Sequence, residues 1–123
     1  MTERTFLVVM GIAWLPYGFY CLADPAVLAR IAGVTASTPT GLTELRAMYG
    51  GLQAAIGLLA LAATRRADLV RPALVALAFL FAGLASARLL GAVLDGAWSG
   101  YTLGGIVFET AGAGAAITLL RRG

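Results

Sequence analysis

The 123-residue sequence contains no histidine and no lysine. The absence of histidine removes histidine-ligated haem, most zinc sites and the Ser-His-Asp triad. A single cysteine, Cys21, rules out an intrachain disulfide and leaves the redox compartment open. Charge is scarce as well. Only 12% of residues are charged, against about 25% in a soluble domain, while 60% are hydrophobic and the mean hydropathy is +0.89. That balance is the composition of a membrane protein. All nine basic residues are arginine, and the net charge is +3. The excess does not indicate nucleic acid, because the arginines are not gathered into one patch with aromatics. They stand at the ends of apolar runs, where membrane topology places them.

The run Thr5–Ala23 is uncharged and close to the roughly 20 residues needed to cross a bilayer. It predicts a first transmembrane helix, kinked near Pro16. A signal peptide fits less well, because the run carries Trp14, Pro16, Tyr17 and Tyr20, and Cys21-Leu22-Ala23 makes a poor cleavage site. Asp24 followed by Pro25 predicts the start of a short amphipathic helix over 26–32, lying at the interface and ended by Gly33. Residues 36–41 read as loop. The second long helix is predicted from about 43 to 64, with Thr43 or Thr40 as its cap and Glu44 in its first turn, where the helix dipole favours an acid. Arg65–Arg71 forms a basic turn. The third helix is predicted from Pro72 to about 94 and the fourth from about 102 to 120, with Asp95-Gly96 turning between them. The expected fold is all-α, one integral membrane domain over 1–123. It is a four-transmembrane-helix bundle with the short amphipathic helix between helices 1 and 2. Four spans put both termini on one side, together with Arg4, Arg65, Arg66, Arg71, Arg121 and Arg122. An excess of arginine marks the cytoplasmic side, which predicts cytoplasmic termini.

The polar residues inside these helices are the candidate site. In the stretch Glu44-Leu45-Arg46-Ala47-Met48-Tyr49-Gly50-Gly51-Leu52-Gln53, a regular helix places Arg46, Tyr49 and Gln53 on one face. Arg88 and Glu109 each lie about seven residues from the turn joining helices 3 and 4, a depth of roughly 10 Å at the helical rise. The two helices run antiparallel, so these charges can pair; a lone charge at that depth costs about 2.5–3.5 kcal/mol on insertion scales. Asp95 is a second possible partner for Arg88. Small residues accompany the charges: Gly83, Ala87 and Gly91 beside Arg88, Gly105, Gly112 and Ala116 beside Glu109, and Ala47, Gly51 and Ala55 on helix 2. Two uses of this constellation compete. The charges with Glu44 could form a balanced network that holds helix register, or Arg46, Tyr49, Gln53, Arg88 and Glu109 could line an outer-leaflet pocket.

The stretch 44–51, then Gly83-Leu84-Ala85-Ser86-Ala87-Arg88-Leu89-Leu90-Gly91 with Asp95-Gly96, and Glu109 in the last helix resemble a family of small bacterial four-helix membrane proteins known as a domain of unknown function. The resemblance covers nearly the whole chain. It implies a four-helix bundle with no established activity, and its motif matches at Glu44, Arg46, Tyr49, Arg88, Asp95 and Glu109. More loosely, size and layout are similar to DoxX-like membrane proteins, some of which are linked to quinone or thiol redox systems; this link assigns no residue here. Small multidrug exporters share the length and helix number, but their signature carboxylate lies in helix 1, where this chain has no acid.

The functional expectation is therefore a non-enzymatic protein of the bacterial cytoplasmic membrane. No nucleophile–base pair or metal-ligand set is visible, and no cofactor is expected. Arg46 and Arg88 would meet an anionic or carbonyl group of a lipid, a quinone-like molecule or another amphiphile, with Tyr49 and Gln53 adding hydrogen bonds. Glu44 and Asp95 would have structural or gating roles. The alternative is a proton-coupled transporter with Glu109 as the titrating group, and a third reading is an accessory subunit. Expected partners are membrane lipids, an amphiphilic small molecule, and a second copy or another membrane protein.

Overall fold

The computed structural model describes residues 1–123 and contains helices and no strand. The elements are α1 (Glu3–Ala23), α2 (Val27–Ala32), α3 (Pro39–Leu45), a π-helix (Arg46–Gly51), α4 (Leu52–Ala63), α5 (Ala67–Asp95) and α6 (Gly100–Arg122). The segments Glu3–Ala23, Pro39–Ala63, Ala67–Asp95 and Gly100–Arg122 are each long and apolar enough to cross a membrane. The all-α expectation with four spans holds, and this is the layout of a multi-pass membrane protein. Two compact parts contain these elements: Leu7–Ala67, and Met1–Phe6 together with Asp68–Gly123.

Several boundaries differ from those predicted. The second span begins at Pro39, inside the residues read as loop. Thr38 has extended backbone, and its side chain accepts the N–H of Gly41. Thr38 is thus the cap and Pro39 the first helical residue, a position where a missing N–H costs nothing. The third span begins at Ala67 rather than Pro72, with Asp68 in its first turn, where a carboxylate suits the helix dipole. The fourth begins at Gly100, because the Ser99 hydroxyl accepts the Thr102 N–H at 3.2 Å. Pro16 lies within an unbroken α1. The Asp24 carboxylate accepts the Ala26 N–H at 3.2 Å, so Asp24 shapes the turn before α2 and Ala26 is the N-cap. Gly33 closes α2 at φ 67, as the sequence indicates.

In the first part, Leu7–Ala67, α1 lies antiparallel to the second span at very close range. Gly11 faces Leu61, Gly57 faces Leu15, Gly18 faces Ala54 and Gly50 faces Leu22. A side chain at Gly57 would put its first carbon 2.6 Å from the backbone nitrogen of Leu15, and one at Gly50 would come within 2.7 Å of the Leu22 Cα. Hydrocarbon is as apolar as leucine, so between membrane helices the gain comes from such dispersion contact and not from expelling water. The ridge predicted on this span, Ala47, Gly51 and Ala55, is exposed instead. The contacting set is Gly50, Ala54 and Gly57.

In the second part, α5 and α6 form an antiparallel hairpin. Gly96, at φ 64, ends α5 in the left-handed conformation that glycine adopts without strain. Gly112 lies under the ring of Phe81, and Phe81 meets Phe108 edge to face at 5.6 Å. Gly83 and Ala87 are exposed, so of the predicted α5 ridge only Gly91 is partly covered.

Candidate functional site

The α5–α6 hairpin brings Arg88 and Glu109 together. Arg88 Nε donates to Glu109 Oε2 at 2.9 Å, and Nη2 donates to Oε1 at 2.6 Å. This is a two-pronged pair, the geometry for which a planar guanidinium is suited and an ammonium is not. Gly105 makes room for it: a β-carbon there would lie 2.7 Å from Arg88 Nε. The ring of Tyr101 faces the guanidinium with 5.7 Å between Cζ and the ring centre, a cation–π distance. The two partners differ in exposure. The Glu109 side chain is 4% exposed and that of Arg88 26%, so the carboxylate is enclosed and the cation retains an open side. Asp95, the other partner considered for Arg88, is exposed at the end of α5.

Arg46, Tyr49 and Gln53 belong to the other part of the chain. Their common face assumed a regular α-helix, and that assumption fails between Arg46 and Gly51. There the helix is π-wound, with N–H groups reaching back five residues. Leu52 N–H still donates to the Ala47 carbonyl, and the Gln53 side-chain amide donates to the next one, Met48, at 3.2 Å. A side-chain donor thus serves the carbonyl where the winding changes back to α. The acceptor of that amide, Gln53 Oε1, is buried with no partner.

Arg46 projects from the start of the π-helix to the end of α1, where Nη1 donates to the carbonyls of Leu22 and Ala23. The last carbonyls of a helix have no partner of their own and carry the negative end of its dipole. The guanidinium therefore closes α1 from outside the helix, a role the sequence reading missed. Tyr49 packs against the buried cluster Cys21, Val27 and Leu28, together with Tyr17, Val34 and Leu45. Glu44 is exposed.

A hollow of about 180 Å³ lies in the same part, lined by Pro25, Ala29, Val34, Leu42 and Leu45 among others. It is smaller than the roughly 300 Å³ at which small-molecule sites begin, and none of the five candidate ligand residues lines it. No group of three or more His, Cys, Asp or Glu side chains is arranged to hold a metal ion.

No curated protein and no solved structure matches the chain significantly. Residues 2–120 match one family model, so the match takes in all four spans, the π-wound motif and the Arg88–Glu109 pair. The chain therefore belongs to the family described as a domain of unknown function, DUF4345.

Proposed function

We propose that this is a non-enzymatic accessory or structural subunit of the bacterial cytoplasmic membrane, in which the intramembrane charges fix helix register. The observation that carries this reading is the Arg88–Glu109 pair, in which both carboxylate oxygens are already occupied. Arg46 is likewise engaged by helix-end carbonyls. A balanced pair of this kind needs no ligand to compensate it. A proton carrier using Glu109 would first have to open two charge-assisted hydrogen bonds, which disfavours the transporter alternative. Gly83, Gly104 and Gly114 have open space where a side chain would be, so small-residue faces remain available for a helix of another membrane protein or of a second copy. The reading keeps membrane lipids as surroundings, assigns no cofactor and no nucleic-acid partner, and sets the chain beside DoxX-like proteins in layout only.

One observation favours a second reading, an amphiphile site: the buried, unpartnered Gln53 Oε1 could accept a hydrogen bond from a ligand hydroxyl. Native mass spectrometry on gently extracted protein separates the two. The subunit reading expects no stoichiometric amphiphile whose retention depends on Gln53. A molecule that is retained at one per chain and lost on Gln53→Leu would replace it with the binding reading.

Orientation follows from the distribution of arginine. Reporter fusions at Ser37 and Ser99 are expected to report the outer side, and fusions at Asp68 and Gly123 the cytoplasm. A cytoplasmic signal at Ser37 would reverse the topology.

A further inference from the structure

The open end of the α5–α6 hairpin gathers charge that the register network does not use. Arg71 Nη1 donates to the Leu120 carbonyl at 3.4 Å, which carries a guanidinium from α5 to the last turn of α6. Arg121 and Arg122 occupy that turn. Arg4 belongs to the same compact part, and its neighbour Glu3 reaches the C-terminus: a β-carbon on Gly123 would lie 3.1 Å from Glu3 Oε1. Four arginines (4, 71, 121 and 122) thus stand against two carboxylates, Glu3 and Asp68. That leaves an excess of two positive side-chain charges. The N-terminus of α5 and the C-terminus of α6 lie at this same end, so their helix dipoles offset each other and do not remove the excess.

We propose that Arg71, Arg121 and Arg122 form a site for the phosphate of an anionic phospholipid headgroup. All three are exposed, and guanidinium groups bind phosphate oxygens in pairs where lysine acts only as a point charge. Leu120 is the last apolar residue of α6, so the cluster stands where hydrocarbon gives way to headgroups. The helix surface one turn inward identifies a lipid and not a free ion. Val75, four residues after Arg71, is 40% exposed, and Ile117, four residues before Arg121, is 39% exposed. Each lies on its arginine's face of the helix, giving the acyl chains an apolar wall directly below the phosphate. A bound headgroup would tie the free ends of the hairpin together.

The test uses the full chain in nanodiscs of phosphatidylcholine, with and without phosphatidylglycerol, read by native mass spectrometry and by thermal unfolding. The wild type is expected to retain phosphatidylglycerol and to unfold at a higher temperature as that lipid is added. Each arginine near an anionic membrane surface contributes about fivefold in affinity, so Arg71→Gln with Arg121→Gln and Arg122→Gln is expected to lower retention on the order of a hundredfold. Arg30→Gln, an exposed arginine of α2 outside this cluster, is expected to leave retention unchanged. Should the triple glutamine variant fold poorly, Arg71→Lys with Arg121→Lys and Arg122→Lys keeps the charge and is expected to retain the lipid at intermediate level. Equal retention by wild type and the triple glutamine variant would overturn the proposal. So would equal retention of phosphatidylcholine, or inorganic phosphate matching the thermal shift given by phosphatidylglycerol.

Discussion

Replacing Arg88 by alanine is expected to destabilise the chain by about 3–5 kcal/mol, the usual cost of leaving a buried charge without its partner. The direction of the asymmetry is set by burial. Arg88→Ala strands a carboxylate that is 4% exposed, whereas Glu109→Ala strands a guanidinium that is 26% exposed and can turn toward polar surroundings. Arg88→Ala should therefore be the more damaging single change. The double variant should be more stable than Arg88→Ala alone, because two apolar side chains in a hydrocarbon-facing hairpin leave no charge to compensate. Unfolding in mixed detergent micelles, analysed as a double-mutant cycle, supplies the coupling. Losses that simply add would mean that the 2.6 and 2.9 Å contacts carry no interaction energy.

Gly57→Ala is the second large effect. The added methyl would lie 2.6 Å from Leu15 N and 2.8 Å from its Cα, where carbon atoms at rest keep about 3.5–4 Å. The obstacle is backbone, so no side chain can rotate away and the two helices must separate. Overpacking costs typically about 1–3 kcal/mol, or more when backbone has to move. Alanine in place of glycine returns up to about 1 kcal/mol through helix propensity, so the steric term wins and the variant should be destabilised. Gly104→Ala provides the opposite sign, since nothing lies within 4 Å of its added methyl and only the propensity gain remains. Equal stability of the two variants in the same detergent assay would show that α1 and α4 do not meet along Gly57.

Much of this was legible in the sequence, and the rest was hidden for identifiable reasons. Four apolar stretches of bilayer length, only the first of them free of charge, announced the spans. The Arg88–Glu109 pair followed from depth alone, because two residues equally far from one short turn come level when the helices double back. Helix starts were harder. Thr38-Pro39 is a good cap-and-first-residue signal, yet Gly41 and the small polar residues around it gave a stronger impression of loop. Pro72 looked like a beginning because proline favours the first turn, but Asp68 four residues earlier was the better marker. The contact ridge on the second span was read from a four-residue spacing that Ala47, Gly51 and Ala55 satisfy. Glycine and alanine are so frequent in this chain that spacing could not choose between that set and Gly50, Ala54 and Gly57. Arg46 was recognised as an inward polar residue, but nothing local reveals that its acceptors are carbonyls of Leu22 and Ala23, more than twenty positions earlier.

The π-wound turn at Arg46–Gly51 has a further consequence, which concerns phase. A regular helix advances about 100° per residue, so the direction in which α3 faces is tied to that of α4 through the number of residues between them and the way they are wound. Five-residue hydrogen bonding inserts an offset into that count. The stripe presented by Pro39–Leu45 and the seam presented by Leu52–Ala63 are thereby set independently, although one continuous span carries both. Winding the same residues 46–51 as ordinary α-helix would swing one half against the other by about a quarter turn. At this point of the chain, winding sets the angle.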